Sequence, residues 1–586
     1  MDQATKPNLS LKRRVGLFHI AIAVVMAVFV FRLVYLQVFR HEYYQQIAQA
    51  SQLKQYEIPA ERGSIYAYDG DEIVPLVLNE TKYRIVADPQ IITDVDKTAL
   101  DLACVLKIDA SEIKQKLSKN DSRYEIIANK QDKEQKEAVE ALKLPGIFVN
   151  EKISQRVYIQ GAIAGQVLGF VNDAGEGNYG IEQYFDAELK GTPGRVKALT
   201  DQNNVPLLAS GENVSVDPVD GKDIVLTLDV SMQRQVEKSL AEGLKNAQSQ
   251  SGSVVVLDAR SGAVKALANY PTYDPAAFRD VSDPALFSNP AVSSPLEPGS
   301  VMKVLTVAAA LDTGSVSPEQ TYADPSFYRV DGYTITNIEE NGGAATRSVS
   351  DILRFSLNTG ATWLLMQMGG GTLNEQGRKT WHEYMTNRYH FGSATGIEQG
   401  FEADGVVPDP LEGFGLNLQF ANSSFGQGMT VTPVQMAAAV ASVVNGGTYY
   451  GPTLVQGELD SDGALQKKEV LPQKTSVVAP SVSAQLRTYM NNVVANNNRP
   501  AYRSGYNIGG KTGTAQIANP AGGYYDDRFN GTYVGYVGGD TPEYVIMVRV
   551  DEPKIGGYAG AKAAAPIFAT ISNMLIDNFN VARVAP

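Results

Sequence analysis

The hydrophobic pattern of the chain begins with a long apolar run close to the N-terminus. No charged residue stands between Arg14 and Arg32, and a mostly apolar stretch, interrupted by Gln37, continues beyond Arg32 as far as Phe39. At a rise of about 1.5 Å per residue, a helix over the roughly 25 residues of Val15–Phe39 is long enough to cross a bilayer. Because the nearest small-residue cleavage pattern, Ala48-Gln49-Ala50, lies well past the apolar core, the run favours an uncleaved anchor over a cleaved signal peptide.

The charges in front of this run predict how the anchor is oriented. Residues 1–14 contain mostly basic charges, namely Lys6, Lys12, Arg13 and Arg14 against Asp2. Because basic residues are retained on the cytoplasmic side, we expect residues 1–14 to form a cytoplasmic tail and residues 15–39 to span the membrane. The domains that follow are then expected on the outer face of the cytoplasmic membrane.

The segment after the anchor has a mixed pattern of short strands and helices. An extended, turn-rich stretch opens near Pro59, and charged helical segments follow near residues 97–117 and 130–142. From Gly191 to Gly221 the chain is rich in Gly, Pro, Asn and Val without helical periodicity, which is typical of a domain border. We therefore expect a small α+β module over residues 40–220 and a separate domain over residues 221–580.

The pattern after residue 221 predicts a sheet whose strands come from both ends of one domain. A helix is expected over Ser231–Ala247, followed by an antiparallel hairpin of Ser253–Leu257 and Ala263–Leu267. Near the C-terminus, Thr532–Val537 and Glu543–Val550 flank a Gly- and Pro-containing turn, and an Ala-rich helix follows. Helical patterns dominate the residues between, so an α+β fold is predicted.

Composition excludes several classes of protein. Hydrophobic residues make up 44% and charged residues 20% of the 586 residues, which is ordinary for globular domains. A net charge of −13 without a long basic run argues against binding to nucleic acid. The one cysteine, Cys104, excludes internal disulfides and cysteine-based metal clusters, and its apolar neighbours predict a buried thiol. His382 and His390 do not have the zinc-binding i, i+4 spacing, so no metal site is predicted.

The first candidate catalytic group is Ser300 with Lys303. Glu297-Pro298-Gly299 is a turn pattern and an apolar helical run continues to Asp312, which places Ser300 at a helix N-terminus. There the free amide groups and the helix dipole stabilise negative charge on an attacking oxygen. Lys303 lies one turn further along, where burial is expected to lower the pKa of the amine and let it accept the proton of Ser300. The Ser-x-x-Lys pattern occurs elsewhere in the chain too, but without such a turn and helix.

Two further motifs carry groups that fit the same chemistry. The hydroxyl and amide of Ser356-Leu357-Asn358 are suited to relaying a proton between two lysines and to orienting a substrate. Lys511-Thr512-Gly513-Thr514 follows two glycines, a pattern that indicates a strand closely approached by other groups. An edge strand of this kind can pair with a peptide, receive a carboxylate and complete an oxyanion hole. Alone, each motif also fits a helix cap or a surface turn.

Taken in order, the three motifs resemble those of the penicillin-recognising serine transferases. The resemblance is closest to the class B penicillin-binding proteins, the monofunctional peptidoglycan transpeptidases, and extends from the anchor to about residue 580. Further motifs carry it, namely Arg62-Gly63-Ser64-Ile65, Gly180-Ile181-Glu182, Leu189-Lys190-Gly191, Thr227-Leu228-Asp229, Phe425-Gly426-Gln427-Gly428 and Thr432-Pro433. The chain departs from the family pattern at Ala67-Tyr68-Asp69-Gly70, which leaves the contacts of that turn open.

The resemblance implies both a fold and an activity. It implies a pedestal-like N-terminal module and a transpeptidase domain whose antiparallel sheet is packed between helices. It also implies that Ser300 attacks the D-Ala-D-Ala carbonyl of one peptidoglycan stem peptide, and that the amine of a second stem resolves the acyl-enzyme as a cross-link. β-Lactam antibiotics are expected to acylate the same serine, and no metal or organic cofactor is required.

The resemblance further implies a role for each site residue. Lys303 is expected to be the base for Ser300, and Ser356 the proton relay. The remaining roles fall to Asn358 as the substrate-orienting amide, to Lys511, Thr512, Gly513 and Thr514 as the carboxylate site, and to the backbone amides of Ser300 and Thr514 as the oxyanion hole.

Two alternatives remain open, which are a hydrolase of the same fold, such as a D,D-carboxypeptidase or β-lactamase, and an inactive membrane-anchored scaffold. A Ser-His-Asp hydrolase is disfavoured, because the sequence has no Gly-x-Ser-x-Gly motif and no histidine near these motifs. Leu296–Val304 resembles the septal, division-specific branch of the family more than the elongation branch. The resemblance also implies a polytopic glycan polymerase and division proteins as partners, in the cytoplasmic membrane of a bacterium.

Overall fold

The computed structural model describes residues 9–43, 53–199, 214–338 and 343–585. It divides into two units, which are described separately. The first comprises residues 1–60 and 191–220, and the second comprises residues 61–190 and 221–586. Lys12, Arg13 and Arg14 of the predicted tail lie inside the described residues, whereas residues 1–8, with Lys6, and the Ala48-Gln49-Ala50 pattern lie outside them.

The helices and strands are numbered in chain order. The α-helices are α1 (Leu9–Val34), α2 (Val95–Leu106), α3 (Ala110–Leu117), α4 (Lys133–Ala141), α5 (Gly165–Leu168), α6 (Gly180–Tyr184), α7 (Asp186–Lys190), α8 (Val230–Ala247), α9 (Pro290–Ser293), α10 (Lys303–Asp312), α11 (Val349–Arg354), α12 (Asn358–Met368), α13 (Glu375–Glu383), α14 (Leu416–Ser424), α15 (Pro433–Val444), α16 (Pro480–Asn497) and α17 (Ala565–Asn578). The strands are β1 (Leu53–Ile58), β2 (Ile65–Asp69), β3 (Glu72–Ala87), β4 (Glu125–Gln131), β5 (Ile147–Tyr158), β6 (Phe170–Val171), β7 (Gly177–Asn178), β8 (Gly194–Leu199), β9 (Val214–Val216), β10 (Asp223–Asp229), β11 (Ser251–Asp258), β12 (Val264–Tyr270), β13 (Thr321–Asp324), β14 (Phe327–Val330), β15 (Tyr333–Thr336), β16 (Ala345–Ser348), β17 (Val455–Leu459), β18 (Leu465–Lys467), β19 (Asn507–Ala518), β20 (Tyr524–Gly538) and β21 (Pro542–Asp551).

The first unit contains the apolar helix and a small sheet. Helix α1 continues through a π-helical turn, Tyr35–Phe39, so that a span of 25 residues, Val15–Phe39, is long and apolar enough to cross a membrane. In the sheet, β8 pairs antiparallel with both β1 and β9. The glycine-rich stretch expected to be a domain border therefore contains two strands, which the lack of helical periodicity did not distinguish from a loop.

The N-terminal part of the second unit is a mixed sheet covered by helices. The strands run in the order β18-β17-β10-β2-β3-β4, and β5 also pairs with β3. Helices α2, α3 and α4 pack on it through a core that includes Leu102, Ile113 and Val139. Strands β10, β17 and β18 come from beyond residue 221, so this sheet contains strands from both sides of the expected border.

Cys104 is exposed on α2, so the expectation of a buried thiol is wrong. The buried face of this helix includes Leu102 and Leu106. Two residues correspond to about 200° of rotation around a helix, so Cys104 points away from both leucines. Its apolar neighbours in sequence are not its neighbours on the helix surface.

Two of the family motifs meet in a buried cluster of charges. Arg62 donates two hydrogen bonds to one carboxylate oxygen of Glu182, at 2.9 and 2.7 Å, and Arg156 donates to the other oxygen at 2.9 Å. A Cβ on Gly63 would lie 2.0 Å from the carbonyl oxygen of Lys222, so glycine is required beside the arginine. Removing one charged partner would leave an uncompensated buried charge, so the two motifs depend on each other.

The turn in which the chain departs from the family pattern packs against the start of α8. The N–H of Gly70 donates to Asp229 at 3.0 Å, and the hydroxyl of Ser231 donates to Asp69 at 2.6 Å. Asp229 also accepts the N–H of Met232 at 2.8 Å and so caps the helix. The contacts left open by the sequence are therefore made by the turn residues present here.

Among the described strands, five form an antiparallel sheet in the order β12-β11-β21-β20-β19. Alternate residues of its strands face two cores. Val254 and Val256 pack with α8 and α17, whereas Val255 and Leu257 pack with α10, α15 and α16. The expected α+β fold, with an antiparallel sheet between helices, is confirmed. Strand β19, which carries Lys511, lies at one edge of this sheet.

Candidate active site

Ser300 lies in a tight turn that holds two chain segments together. The 3₁₀ turn Gly299–Met302 precedes α10, so Ser300 is at the start of the helical run. Gly299 has a φ of +64°, and its N–H donates to the carbonyl oxygen of Gly426 at 2.9 Å. Gly426 has a φ of +91°, and a Cβ on it would lie 2.0 Å from the carbonyl oxygen of Gly299. Glycine is therefore required at both positions, and the two motifs form one structure behind the serine.

Lys303 is the centre of the site. Its Nζ lies 2.8 Å from Ser300 Oγ, 2.7 Å from the backbone oxygen of Ser356 and 2.7 Å from Asn358 Oδ1. The side chain is 0% exposed, and the ring of Phe425 lies 5.8 Å from the nitrogen. None of these hydrogen-bond partners is a carboxylate, so none of them supplies a negative charge to stabilise a protonated Lys303.

The surroundings lower the proton affinity of both lysines in the site. Burial, together with the nearby Lys511, holds the pKa of Lys303 well below its ordinary value. Burial lowers the pKa of Lys511 to about 7. Because two close amines repel each other's charge, the arrangement favours a neutral Lys303 near neutral pH. A neutral amine has a lone pair that can accept the proton of Ser300.

Ser356 connects the two lysines. Its Oγ accepts a hydrogen bond from Lys511 Nζ at 2.9 Å and lies 3.2 Å from Lys303 Nζ. The residue stands between α11 and α12 with a φ of +56°, in the left-handed region that few residues other than glycine adopt. Such backbone strain is found where a side chain must be aimed at one point, and here the hydroxyl is aimed between two amines.

The amide of Asn358 is held at both ends. Its Oδ1 accepts from Lys303 at 2.7 Å, and its Nδ2 donates to the carbonyl oxygen of Thr336 at 3.0 Å. Asn358 is the first residue of α12, and Thr336 is the last residue of β15. The orientation of the amide is therefore fixed, and the β14–β15 hairpin is tied to the site.

Strand β19 passes very close to the turn before Ser300. A Cβ on Gly513 would lie 2.2 Å from Thr532 Oγ1 and 2.7 Å from the carbonyl oxygen of Pro298. The backbone of Thr514 lies against Gly299, where an added Cβ would be 2.9 Å from the carbonyl oxygen of Thr514. Only glycine allows this approach, which places the strand beside the nucleophile turn.

The polar side chains of β19 face an open space in front of these groups. Lys511 Nζ donates to the backbone oxygen of Thr512 at 2.8 Å, and Thr514 Oγ1 accepts the N–H of Gly560 at 3.0 Å. Thr512 and Thr514 are half-buried, and their hydroxyl hydrogens can be donated into the cleft. The strand therefore presents an amine and two hydroxyls along one side of the site.

A cleft of about 310 Å³ lies in front of the serine. Six of the expected site residues line it, namely Ser300, Ser356, Asn358, Lys511, Thr512 and Thr514. Lys303 and Gly513 are buried behind them. Within the described ranges, no group of three or more His, Cys, Asp or Glu residues could hold a metal ion.

Sequence reasoning assigned no role to several other residues that line the cleft. These are Arg354, Phe355, Phe425, Gln427, Asn497, Gln516, Phe529 and Tyr558. Gln516 could have been found, because it lies two residues after Thr514 and therefore faces the same side of β19. Arg354 and Phe355 directly precede Ser356, and Phe425 and Gln427 belong to one of the family motifs. Asn497, Phe529 and Tyr558 come from other parts of the chain, and only tertiary packing brings them to the cleft.

Glu297 ties three segments together next to the nucleophile turn. One of its carboxylate oxygens accepts the N–H of Gly428 at 2.9 Å and the hydroxyl of Tyr524 at 2.9 Å. Burial raises the pKa of this carboxyl group. Sequence reasoning treated Glu297 only as part of a turn, because both of its partners lie more than a hundred residues away.

Comparison with protein families identifies two domains. The model of the penicillin-binding protein transpeptidase domain matches residues 252–573, and the model of the penicillin-binding protein dimerisation domain matches residues 57–226. The first match covers more than half of the chain and contains all the candidate site residues. It also contains Gly299 and Gly426, the two glycines that pack against each other behind Ser300.

Comparison with individual proteins identifies the same family. The chain is 30% identical to stage V sporulation protein D of Bacillus subtilis, over 99% of this chain and 87% of that protein. It is 26% identical to the peptidoglycan D,D-transpeptidase FtsI of Escherichia coli K12, over 94% of this chain and 89% of the relative. It is similar to the crystal structure of penicillin-binding protein 3 of Mycobacterium tuberculosis in complex with aztreonam, with a TM-score of 0.68 and 26% identity over 91% of this chain and 98% of that chain. The chain therefore belongs to the class B penicillin-binding proteins, in which a dimerisation domain precedes a penicillin-binding transpeptidase domain.

Proposed function

We propose that Ser300 is the nucleophile with which this serine-type D,D-transpeptidase cross-links peptidoglycan stem peptides and becomes acylated by β-lactams. The observation that carries the assignment is the 2.8 Å contact between Lys303 Nζ and Ser300 Oγ at the wall of an open cleft. A buried amine of lowered pKa can take the serine proton near neutral pH, which an attack on a peptide carbonyl requires. The activity is that of the family, and the role of each residue is our assignment.

In the first step, Ser300 Oγ attacks the carbonyl carbon between the two D-Ala residues of a donor stem. The serine proton passes to Lys303, and the bond to the terminal D-Ala nitrogen breaks when that nitrogen receives a proton. Ser356 lies 3.2 Å from Lys303 Nζ and 2.9 Å from Lys511 Nζ, which supports its role as the relay between the amines.

The walls of the cleft hold the donor in place. We assign the terminal carboxylate of the donor to Lys511, Thr512, Gly513 and Thr514 on β19. Asn358 is suited to orient the donor's backbone, since both ends of its amide are held. The N–H groups of Ser300 and Thr514 are proposed as the oxyanion hole, and the close packing of Gly299 on Thr514 supports their proximity.

In the second step, the amine of another stem attacks the acyl-enzyme and releases Ser300. Transfer and hydrolysis begin from the same intermediate, so a D,D-carboxypeptidase would differ only in letting water attack. A purified full chain in detergent micelles, given a D-Ala-terminated thioester donor and an amine acceptor, distinguishes them by its products. Amide formation that benzylpenicillin blocks and that Ser300→Ala lacks supports the transferase, whereas hydrolysis alone would make the chain a hydrolase.

The apolar span and the basic residues before it support a location in the cytoplasmic membrane. We propose residues 1–14 as a cytoplasmic tail, 15–39 as an uncleaved anchor, 40–220 as the pedestal and 221–580 as the transpeptidase domain outside the membrane. The helix over Val15–Phe39 supports the anchor. The septal role inferred from Leu296–Val304 is part of the same proposal.

A separate polytopic glycan polymerase is the proposed partner, since a monofunctional transpeptidase needs strands made by another enzyme. Contacts are proposed through the membrane span and the pedestal. Replacing Val15–Phe39 with an unrelated span tests this. We expect export and penicillin binding to persist, while co-purification of the polymerase and support of division decrease. Full complementation by the exchanged anchor at native expression would limit the helix to membrane attachment.

A further inference from the structure

A second cavity, of about 510 Å³, is separate from the cleft of Ser300, since the two share no lining residue. Its walls come from α5, from the start of α6, from the turn that leads into α9 and from the loop 399–401. It therefore lies where residues before 190 meet residues after 221. Its volume is in the range of pockets that bind small organic ligands.

The lining of this cavity carries no charge. Twelve described residues line it, and none of them has a side chain that is charged at neutral pH. Five have amide side chains and three have aromatic rings. The cleft of Ser300 differs, because Arg354 and Lys511 line it. An ionised ligand would leave water here without gaining a partner of opposite charge, so the lining favours a ligand that is polar and uncharged.

Three of the amides are buried and bonded within the protein. Asn289 donates to Gln399 Oε1 at 3.0 Å, and Gln399 donates to the carbonyl oxygen of Val167 at 3.2 Å. Gln166 donates to the carbonyl oxygen of Pro271 at 2.9 Å. These bonds fix the inner wall of the cavity, so its shape does not depend on a ligand.

The other two amides have hydrogen-bonding capacity left. Gln183 is exposed and accepts the N–H of Tyr179 through Oε1 at 3.1 Å, while Asn178 donates through Nδ2 to the carbonyl oxygen of Glu176 at 2.9 Å. Among the described residues, neither Gln183 Nε2 nor Asn178 Oδ1 has a hydrogen-bond partner. The cavity therefore offers one amide donor and one amide acceptor, which complement the C=O and N–H of an acetamido group.

Aromatic rings complete the lining. Phe401 is 68% exposed, and the ring of Tyr179 lies 5.3 Å from that of Phe287. Tyr179 has a φ of +58°, where a tyrosine is strained, and its carbonyl oxygen is so close to Gly169 that a Cβ there would lie 2.1 Å away. Such strain is found where a side chain is held in one position for a ligand. Aromatic faces beside free amides suit a sugar, whose ring has an apolar C–H face and a polar edge.

We propose that this cavity binds an N-acetylated sugar of the peptidoglycan glycan strand. Gln183 and Asn178 pair with the acetamido group, and Tyr179, Phe287 and Phe401 contact the sugar ring. The proposal rests on the transpeptidase function assigned above, because the stem peptides of that reaction are attached to such strands. The cavity then holds a strand while one of its stems reacts at Ser300, and it takes no part in the chemical steps.

The test measures sugar binding and catalysis separately in the full-length chain in detergent micelles. The probe is chitotetraose, an uncharged oligomer of N-acetylglucosamine, and calorimetric titration gives its dissociation constant. Maltotetraose, which lacks acetamido groups, and a free stem pentapeptide are the comparison ligands. The variants are Phe401→Ala and Gln183→Glu, which keeps an acceptor oxygen for the N–H of Tyr179. The controls are Phe327→Ala, at another exposed ring, and Gln235→Glu, at another amide whose Oε1 accepts a hydrogen bond, and neither residue lines the cavity.

We expect the wild-type chain to bind chitotetraose more tightly than maltotetraose. The dissociation constant for chitotetraose should rise at least about fivefold in Phe401→Ala and in Gln183→Glu, and stay within about twofold of wild type in both controls. Benzylpenicillin acylation and transfer from a soluble thioester donor should stay within about twofold in all four variants.

The site would be overturned if chitotetraose did not bind the wild-type chain, if maltotetraose bound equally well, or if the controls weakened binding as much as the variants. Binding of the free pentapeptide that Phe401→Ala weakens would assign the cavity to a peptide instead. Failure of the proposed function is distinguishable, because it appears as a wild-type chain that penicillin does not acylate, whereas sugar binding is measured without that reaction.

Discussion

The hydroxyl oxygen of Ser356 lies 2.9 Å from Nζ of Lys511, a residue 155 positions further along the chain. The same oxygen lies 3.2 Å from Lys303 Nζ, so one hydroxyl joins two buried amines. In the proposed mechanism the proton that Ser300 gives up reaches the departing nitrogen of the donor, and this hydroxyl is within hydrogen-bonding distance of both lysines. Its unusual backbone conformation allows the relay to be tested separately from the fold.

We expect Ser356→Gly to remove the relay without weakening the protein. Glycine suits the φ of +56°, so the free energy of unfolding should equal or exceed that of wild type. The rate of acylation by benzylpenicillin should fall about 100-fold. Ser356→Ala is the matched variant, with the same loss of rate but about 1 kcal/mol less stability than the glycine variant. Near wild-type acylation by Ser356→Gly would show that the hydroxyl is not a relay.

Lys303→Arg should abolish acylation although it keeps the positive charge. A guanidinium stays protonated at every accessible pH and cannot accept the proton of Ser300. Lys303→Met serves as the control, because it fills the buried position without a charge and should fold at least as stably as wild type. Penicillin labelling of folded protein is the measurement. An arginine variant that is labelled at a rate close to wild type would make Lys303 a structural residue.

Stability should depend on pH through Lys511. The folded chain releases the Lys511 proton near pH 7, whereas the unfolded chain holds it to about the ordinary value of 10.5. Between these values the unfolded state binds more protons, so the cost of burying this lysine is full below pH 7 and disappears as the pH rises towards 10.5.

Lys511→Met is therefore expected to stabilise the chain most at pH 7 and below, with a gain that shrinks towards pH 10. Urea midpoints at several pH values measure this gain. Lys238→Met, at an exposed position of α8, is the control and should change stability by the same small amount at each pH. A gain from Lys511→Met that does not vary with pH would contradict the lowered pKa.

Two glycines of one loop allow the packing behind the nucleophile to be tested. Gly426 and Gly428 both have positive φ, at +91° and +74°, so alanine strains both by roughly 1 kcal/mol. A Cβ on Gly428 would meet nothing closer than 3.8 Å, whereas a Cβ on Gly426 would lie 2.0 Å from the carbonyl oxygen of Gly299. Gly426→Ala should therefore melt at a clearly lower temperature than Gly428→Ala and be acylated more slowly. Equal effects on melting and acylation would show that the contact with Gly299 is unimportant.

Much of the fold and of the proposed catalytic group could be predicted from local pattern. The hairpin of β11 and β12 was predicted because alternating apolar residues flank a short turn. Ser300 and Lys303 could be found because a Pro-Gly turn and an apolar helix surround them, and a lysine in such a helix has to be buried. Order along the chain then connected them with Ser356 and Lys511, which the structure brings within hydrogen-bonding distance.

Other features depend on tertiary packing and have no local signal. From its sequence neighbours, Glu297 is only a turn residue. In the structure, its carboxylate accepts hydrogen bonds from Gly428 and Tyr524. The apolar sequence neighbours of Cys104 predict a buried thiol, but Cys104 is exposed because it lies on the opposite face of α2 from Leu102. Nothing near Asn497 or Phe529 in sequence indicates that both line the cleft of Ser300. Such residues reach a site through the packing of distant elements, which a pattern of neighbouring residues does not contain.

The central claim is that Ser300 is the residue that is acylated, and the mass of the protein after exposure to benzylpenicillin tests it most directly. We expect the full-length chain to gain one penicilloyl group per molecule, peptide mapping to place that group on Ser300, and Ser300→Ala to gain no mass while remaining folded. A modified peptide that contains Ser356 instead of Ser300, or the absence of any adduct on folded wild-type protein, would contradict the assignment.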